Sequence, residues 1–120
     1  MVKKHDANRL ALPRHGSEDN PPIVATLNLL SRRWMLRVLW ELRDGSCGFR
    51  EMRARCRRLS PDTLSCRLSE LQSAGIIARD PQGAWVLTEL GVALRPSLMA
   101  LNDWSKQWAD VVEGGEINVK

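Results

Sequence analysis

Hydrophobic positions in the first part of this chain follow the period of an α-helix. Ile23, Leu27 and Leu30 recur at spacings of four and three, which predicts a first helix that starts at the two prolines before them. Ser31 is a suitable N-terminal cap for a second helix, which we predict over 32–42. An Asp-Gly pair then ends this second helix, so two helices precede residue 46.

The next two predicted helices lie close together and are joined by a short linker. The first covers 49–56 and has only about two turns, so it depends on packing against its neighbours. The second has the clearest start in the chain, because Ser60 can cap it and Pro61 suits the first helical position. Its leucines recur at helical spacing as far as the stop signal at Gly75. A short helix, a linker and a capped helix form a helix-turn-helix.

The remaining pattern predicts a hairpin and one long helix. Two short strands, 76–79 and 84–87, flank the turn Asp80-Pro81-Gln82-Gly83. Apolar side chains then recur at spacings of three and four from Leu90 to Val111. The predicted fold class is therefore mostly α with a small β-hairpin, a winged helix-turn-helix. The predicted organisation is a flexible N-terminal arm over 1–20, the winged helix domain over 21–113 and a frayed tail over 114–120.

Charge is distributed unevenly along the 120 residues. Residues 31–67 hold ten arginines and four acidic residues, a net charge of +6, whereas residues 68–120 carry −3. A basic block beside an acidic half indicates a polyanionic partner for one face of the protein. Arginine suits such a partner because its planar fork of donors matches phosphate groups and guanine edges. The alternative is an ordinary solvated surface produced by arginine-rich codon usage.

The residue inventory argues against several classes of protein. Cys47, Cys56 and Cys66 form no C-x-x-C pair, and the two histidines lie far away in the arm, so we expect reduced thiols, no metal site and no cofactor. No catalytic Ser-His-Asp or Cys-His set is present, and we expect no enzyme activity. The chain has neither the apolar run of a membrane span nor a secretory h-region. We therefore expect a cytoplasmic, nucleoid-associated protein without a membrane partner.

Short motifs occur in a characteristic order between residues 21 and 108. They are Ile23-Val24-Ala25-Thr26-Leu27, Trp34, Leu39-Trp40-Glu41-Leu42, Phe49-Arg50-Glu51-Met52, Leu59-Ser60-Pro61, Leu64-Ser65, Arg67-Leu68, Glu70-Leu71, Gly75-Ile76-Ile77, Leu87-Thr88-Glu89-Leu90-Gly91 and Leu94-Arg95-Pro96. In this order and spacing they resemble the HxlR-type winged helix-turn-helix transcriptional regulators. The resemblance implies a homodimeric protein that binds double-stranded DNA, and it accounts for a proline inside the last helix. It assigns no small-molecule effector.

The same resemblance places the dimer contact on the first and last helices. The residues expected there are Ile23, Leu27, Leu94, Leu98, Leu101, Trp104 and Trp108. The last helix supports this independently, since two tryptophans and four leucines on one stripe are more than so small a domain easily buries. For Trp104 and Trp108, burial in the core of one copy and a ligand pocket between helices are the alternatives.

A helix-turn-helix presents the N-terminal part of its second helix to the edges of the bases. The residues expected near bases or adjacent phosphates are Ser60, Pro61, Thr63, Ser65, Cys66 and Arg67, and those expected along the backbone are Arg50, Arg53, Arg57 and Arg58. Arg67 is the first candidate for bidentate contact with guanine, and an ion pair with Glu70 or Glu51 is the alternative. Cys66 is either a reactive thiol or a small spacer.

Three positions depart from the family pattern. Pro21 stands where many members carry a cysteine that can sense redox state, Asp62 stands where many carry a basic residue, and the wing tip has no positive charge. Pro21 removes the redox sensor, and Asp62 places a carboxylate near the phosphates. The wing tip without positive charge argues against contact between the wing and the minor groove. Asp62 and this wing tip also motivate a second hypothesis, a winged helix protein-interaction module with weak or no DNA binding.

Overall fold

Five helices and one hairpin follow each other in the computed structural model, which describes residues 21–115. Their bounds are α1 Pro22–Leu30, α2 Met35–Glu41, α3 Phe49–Arg55, α4 Pro61–Ser73, β1 Ile77–Arg79, β2 Trp85–Leu87 and α5 Glu89–Gly114. The predicted fold class, mostly α with a small hairpin, is confirmed. The predicted arm over 1–20 and residues 116–120 of the predicted tail lie outside the described residues. None of the described helices is long and apolar enough to cross a membrane.

One apolar core joins the five helices to the hairpin. Leu64, Leu68 and Leu71 from α4 are all buried in it, as their helical spacing predicts. The complete buried cluster is Leu29, Met35, Val38, Leu39, Leu42, Cys47, Met52, Cys56, Leu59, Leu64, Leu68, Leu71, Ile77, Trp85 and Leu98. The two-turn helix α3 is held in this core by Met52, which supplies the packing that so short a helix requires.

The second helix starts three residues later than predicted. Ser31 follows α1 as its C-cap, with its backbone N–H donating to the carbonyl of Leu27 at 2.9 Å, so the prediction that Ser31 caps a helix over 32–42 is wrong. Trp34 precedes α2 with a φ of 72°, in the left-handed region that bulky side chains rarely adopt. Its half-buried indole packs against the core, and this packing holds the backbone in a conformation that breaks the helix.

The hairpin is a short antiparallel pair placed directly after α4. Ile77 pairs with Leu87 and Arg79 with Trp85, and Cys47 adds an isolated bridge to Trp85 from the segment before α3. The turn is closed by Asp80, whose Oδ1 accepts hydrogen bonds from the backbone N–H groups of Gln82 and Ala84, each at 2.9 Å. The wing therefore has the predicted place in the fold, and its one acidic tip side chain is engaged in forming the turn.

The start of α5 lies against the hairpin, with no room for a side chain at Gly91. A Cβ there would lie 2.3 Å from the carbonyl oxygen of Ile76, which already accepts a hydrogen bond from the backbone of Thr88. We expect Gly91→Ala to lower the free energy of unfolding by about 1–3 kcal/mol in chemical denaturation. The control is Gly114→Ala in the same helix, where a Cβ meets no described atom within 4 Å. Equal effects of the two substitutions would contradict the predicted clash.

Candidate nucleic-acid interface

The N-terminus of α4 is fixed by a side-chain cap. Ser60 Oγ accepts a hydrogen bond from the backbone N–H of Thr63 at 3.1 Å and also lies 3.0 Å from Thr63 Oγ1. Pro61 occupies the first turn, so the predicted start of this helix is confirmed. Pro61, Asp62 and Ser65 are exposed, whereas Thr63 and Cys66 are half-buried. The exposed surface of this turn therefore offers hydroxyl groups and one carboxylate.

Arg67 lies on the flank of α4, close to the core. At 100° per residue its direction differs from that of the buried Leu64 by about 60°. Only 18% of its side chain is exposed, and its Nη1 donates to Glu70 Oε1 at 2.5 Å. Its Nε is inaccessible and has no hydrogen-bond partner among residues 21–115. The structure thus holds the ion pair that was the alternative to guanine contact.

The arginines predicted along the DNA backbone differ in their surroundings. Arg50 in the first turn of α3, and Arg57 and Arg58 in the linker before α4, are exposed and form no ion pair within the described part of the chain. Arg53 is half-buried, and its Nε is inaccessible. Three exposed positive charges without an ion-pair partner in residues 21–115 therefore lie on α3 and on the linker that leads into the N-terminus of α4.

Two other arginines of the basic block are engaged in a network that the sequence analysis missed. Arg55 pairs with Glu51 at 2.7 Å and with Glu41 at 3.4 Å, and Arg37 pairs with Glu41 at 2.9 Å. Arg37 also donates to the backbone carbonyl of Arg55 at 2.9 Å, which ties α2 to α3. Two of these pairs have the i,i+4 spacing typical of helical ion pairs, and this spacing was the available signal.

The cysteines are placed differently with respect to solvent. Cys47 and Cys56 are buried, and Cys66 is half-buried on α4. Burial raises the pKa of Cys47 to about 11, although the positive charge of Arg55 opposes the shift. Burial likewise raises the pKa of Cys56. These two thiols therefore stay neutral at neutral pH, which makes them poor nucleophiles.

A stripe of exposed apolar side chains runs over α1 and the C-terminal half of α5. We call Ile23, Leu27, Leu101, Trp104 and Trp108 the apolar stripe. The two tryptophans stack with ring centroids 5.6 Å apart, and they are 53% and 59% exposed. A groove of about 270 Å³ between the two helices adjoins the stripe.

The other two residues of the predicted dimer contact are placed closer to the core. Leu98 is buried within the single copy and Leu94 is half-buried. Both residues line the groove beneath the apolar stripe.

These features define a winged helix-turn-helix regulator: α4 is the capped second helix of the motif, or recognition helix, with arginines beside it and the hairpin directly after it. The comparison with known families specifies it further, because the HxlR-like helix-turn-helix family matches residues 29–113. This chain belongs to that family, which confirms the resemblance seen in its short motifs.

Individual relatives agree with this assignment. YvaP of Bacillus subtilis, an HTH-type transcriptional regulator, is 35% identical over 100 residues, which cover 78% of this chain and 93% of YvaP. The solved structure of the redox regulator HypR in its reduced form matches with a TM-score of 0.68 and 27% identity over 78% of this chain and 98% of HypR. A possible HxlR family transcriptional factor from Thermoplasma volcanium matches with a TM-score of 0.64 and 28% identity, covering 83% and 97% of the two chains. The protein is accordingly a DNA-binding transcriptional regulator of the helix-turn-helix type.

Proposed function

We propose that this regulator acts as a homodimer that binds a pseudo-palindromic operator in double-stranded DNA. One observation supports the DNA-binding surface: Arg57 and Arg58, directly before α4, and Arg50, on α3, are exposed and are neutralised by no described carboxylate. The exposed first turn of α4 supplies groups for base edges, and the arginines supply the phosphate affinity that holds the helix in register.

The proposed contacts fall into two groups, those to base edges and those to phosphates. Thr63, Ser65 and Cys66 are assigned to the side of α4 that enters the major groove. The hydroxyl groups of Thr63 and Ser65 can contact base edges or the adjacent phosphates. Ser60 and Pro61 lie at the helix N-terminus, which favours a phosphate. Contact with the sugar-phosphate backbone is assigned to Arg50, Arg53, Arg57 and Arg58. The contact of Arg67 with guanine stays a prediction that competes with its ion pair to Glu70.

The proposed dimer joins two copies through the apolar stripe. Large exposed apolar patches mark protein interaction sites, and stacked tryptophans are typical anchors of such sites. A pseudo-two-fold operator then requires the two copies of α4 to lie about 34 Å apart, one turn of DNA. Because its partner is DNA, we place the protein in the cytoplasm with the nucleoid. Regulation of this kind needs no enzyme activity.

The test begins with selection of a duplex by the wild-type protein from a random pool. Fluorescence anisotropy then measures affinity for that duplex and for a scrambled duplex at several salt concentrations. We expect selective binding whose affinity falls steeply with salt, because phosphate contacts release counterions. Failure to select any duplex, or affinity that does not change with salt, would favour the protein-interaction module that the exposed Asp62 motivates.

A further inference from the structure

Glu70 is the one buried charged residue in the described part of the chain. Each of its carboxylate oxygens accepts from a different arginine: Oε2 from Arg32 Nη1 at 2.6 Å, and Oε1 from Arg67 Nη1 at 2.5 Å. The two guanidinium groups are themselves largely covered, with 32% and 18% of the side chains exposed. We call these three residues the arginine clamp.

The arginine clamp connects two parts of the fold that have different tasks in the proposed complex. Glu70 and Arg67 belong to α4, whereas Arg32 belongs to the turn between α1 and α2. That turn directly follows α1, which carries two residues of the apolar stripe, and it contains the left-handed Trp34. A buried carboxylate therefore joins α4 to the turn that directly follows α1, the helix that would form the dimer.

The geometry of Arg67 suits an ion pair that holds Glu70 in place better than it suits contact with a base. Bidentate contact with guanine needs two free donors on one edge of the guanidinium group. Here Nη1 is bound to Glu70 and Nε is shielded from solvent. The Nε–Nη2 edge of the fork is thus blocked, and the Nη1–Nη2 edge shares one of its two nitrogens with Glu70 while the clamp is intact.

We propose that Glu70 is a positioning residue that fixes α4 relative to α1, and that Arg67 serves this clamp instead of contacting a base. In a dimer joined through α1 and α5, the clamp then sets the separation between the two recognition helices. The inference rests on the proposed function, since only a dimer on two half-sites makes this separation matter.

Loss of Glu70 is the most disruptive change to the clamp. It leaves two largely covered cations without their shared anion, whereas loss of either arginine leaves one ion pair intact. Glu70→Gln keeps the shape of the side chain and removes the charge. Arg32→Ala keeps α4 and its Glu70–Arg67 pair unchanged, so it tests the link to α1 even if the Gln variant folds poorly.

The experiment uses the full chain and the duplex selected by wild type, with versions in which the half-site spacing is one base pair longer or shorter. We expect wild type to prefer the selected spacing. We expect Glu70→Gln and Arg32→Ala to reduce that preference by about fivefold or more, the lower range of coupling between sites. The slope of log affinity against log salt should not change, because no phosphate contact is removed. Circular dichroism confirms that each variant is folded.

A different set of results would overturn the inference. Unchanged spacing preference in folded Glu70→Gln or Arg32→Ala would show that the clamp does not position α4. If Arg67→Ala lowers the discrimination between base pairs at a single position of the duplex by about tenfold or more, Arg67 contacts a base. Both results leave the proposed function standing. If wild type selects no duplex at all, the proposed function itself fails.

Discussion

Replacement of Trp104 and Trp108 by alanine in one variant is expected to convert the proposed dimer into monomers and to abolish binding to the two-half-site duplex. The rings stack on each other on the exposed face of α5, where a second copy would cover them in the proposed dimer. An aromatic anchor in an interface contributes about 2 kcal/mol or more. Loss of two such anchors alone corresponds to roughly a 1000-fold rise in the dissociation constant, and the dimer loses two from each copy, so the rise should be at least this large. Sedimentation equilibrium measures this directly, and anisotropy measures the loss of DNA binding.

A matched control lies on the opposite side of the same helix. Lys106 and Asp110 are exposed and stand about 160° and 120° from Trp104 around the helix axis. Their joint replacement by alanine removes one charge of each sign, so the net charge is unchanged. We expect this control to remain dimeric. If the tryptophan variant also remains dimeric, the apolar stripe is not the dimer contact.

Joint replacement of Arg57 and Arg58 by alanine is expected to have the second-largest effect. Both side chains are exposed, lie in the linker before α4 and have no ion-pair partner in residues 21–115. A dimer would lose four phosphate contacts. The slope of log affinity against log salt concentration, here called the salt slope, should therefore become shallower by about 3 to 4. Affinity should fall at least roughly 100-fold, because the loss of even two of these four contacts, each a hydrogen bond to a charged group worth about 1.5–3 kcal/mol, has this effect. Selected and scrambled duplexes should be affected alike, since phosphates carry no sequence information.

The control for this variant removes the same number of positive charges elsewhere. Arg95 and Lys106 are exposed on α5, and Arg95 forms only a surface ion pair with Asp44 at 2.9 Å, which contributes little to stability. Replacement of both by alanine is expected to leave the salt slope nearly unchanged. An equal loss of slope in the two double variants would mean that net charge, and not a defined surface, governs affinity.

The parts of the fold that could be predicted from the sequence are those specified by neighbouring residues. Ser60 and Pro61 mark the start of α4, and Gly75 follows its end with a φ of 81°. Thr88 caps α5 by accepting from the backbone N–H of Gly91, as its position before Glu89 indicates. These signals act within one turn of helix, so they can be recognised without knowledge of the tertiary structure.

The start of α2 could not be predicted, because it depends on contacts between residues that are distant along the chain. Ser31 satisfies the rule for an N-terminal cap, yet the left-handed backbone of Trp34 interrupts the helix because its indole packs against the core. That packing depends on residues distant along the chain. Local propensity is therefore overridden by tertiary contact at this position.

The candidate DNA-binding site was predictable as a region and not residue by residue. The density of arginines between residues 31 and 67 indicates a basic surface, but it does not reveal which arginines are free. Arg55 is neutralised in part by Glu41, 14 residues earlier, and Arg32 reaches Glu70, 38 residues later. Such pairs exist only once the helices have packed, so the unpaired state of Arg57 and Arg58 had to come from the structure.

Hydroxyl-radical footprinting of the wild-type protein on its selected duplex tests the central claim most directly. The account predicts two protected segments on one face of the DNA, separated by about one helical turn, because two copies of α4 enter successive major grooves. It also predicts that both segments lose protection together in the Trp104/Trp108 variant. A single protected segment that persists in that variant would contradict the account, because it would show that one copy binds DNA without its partner.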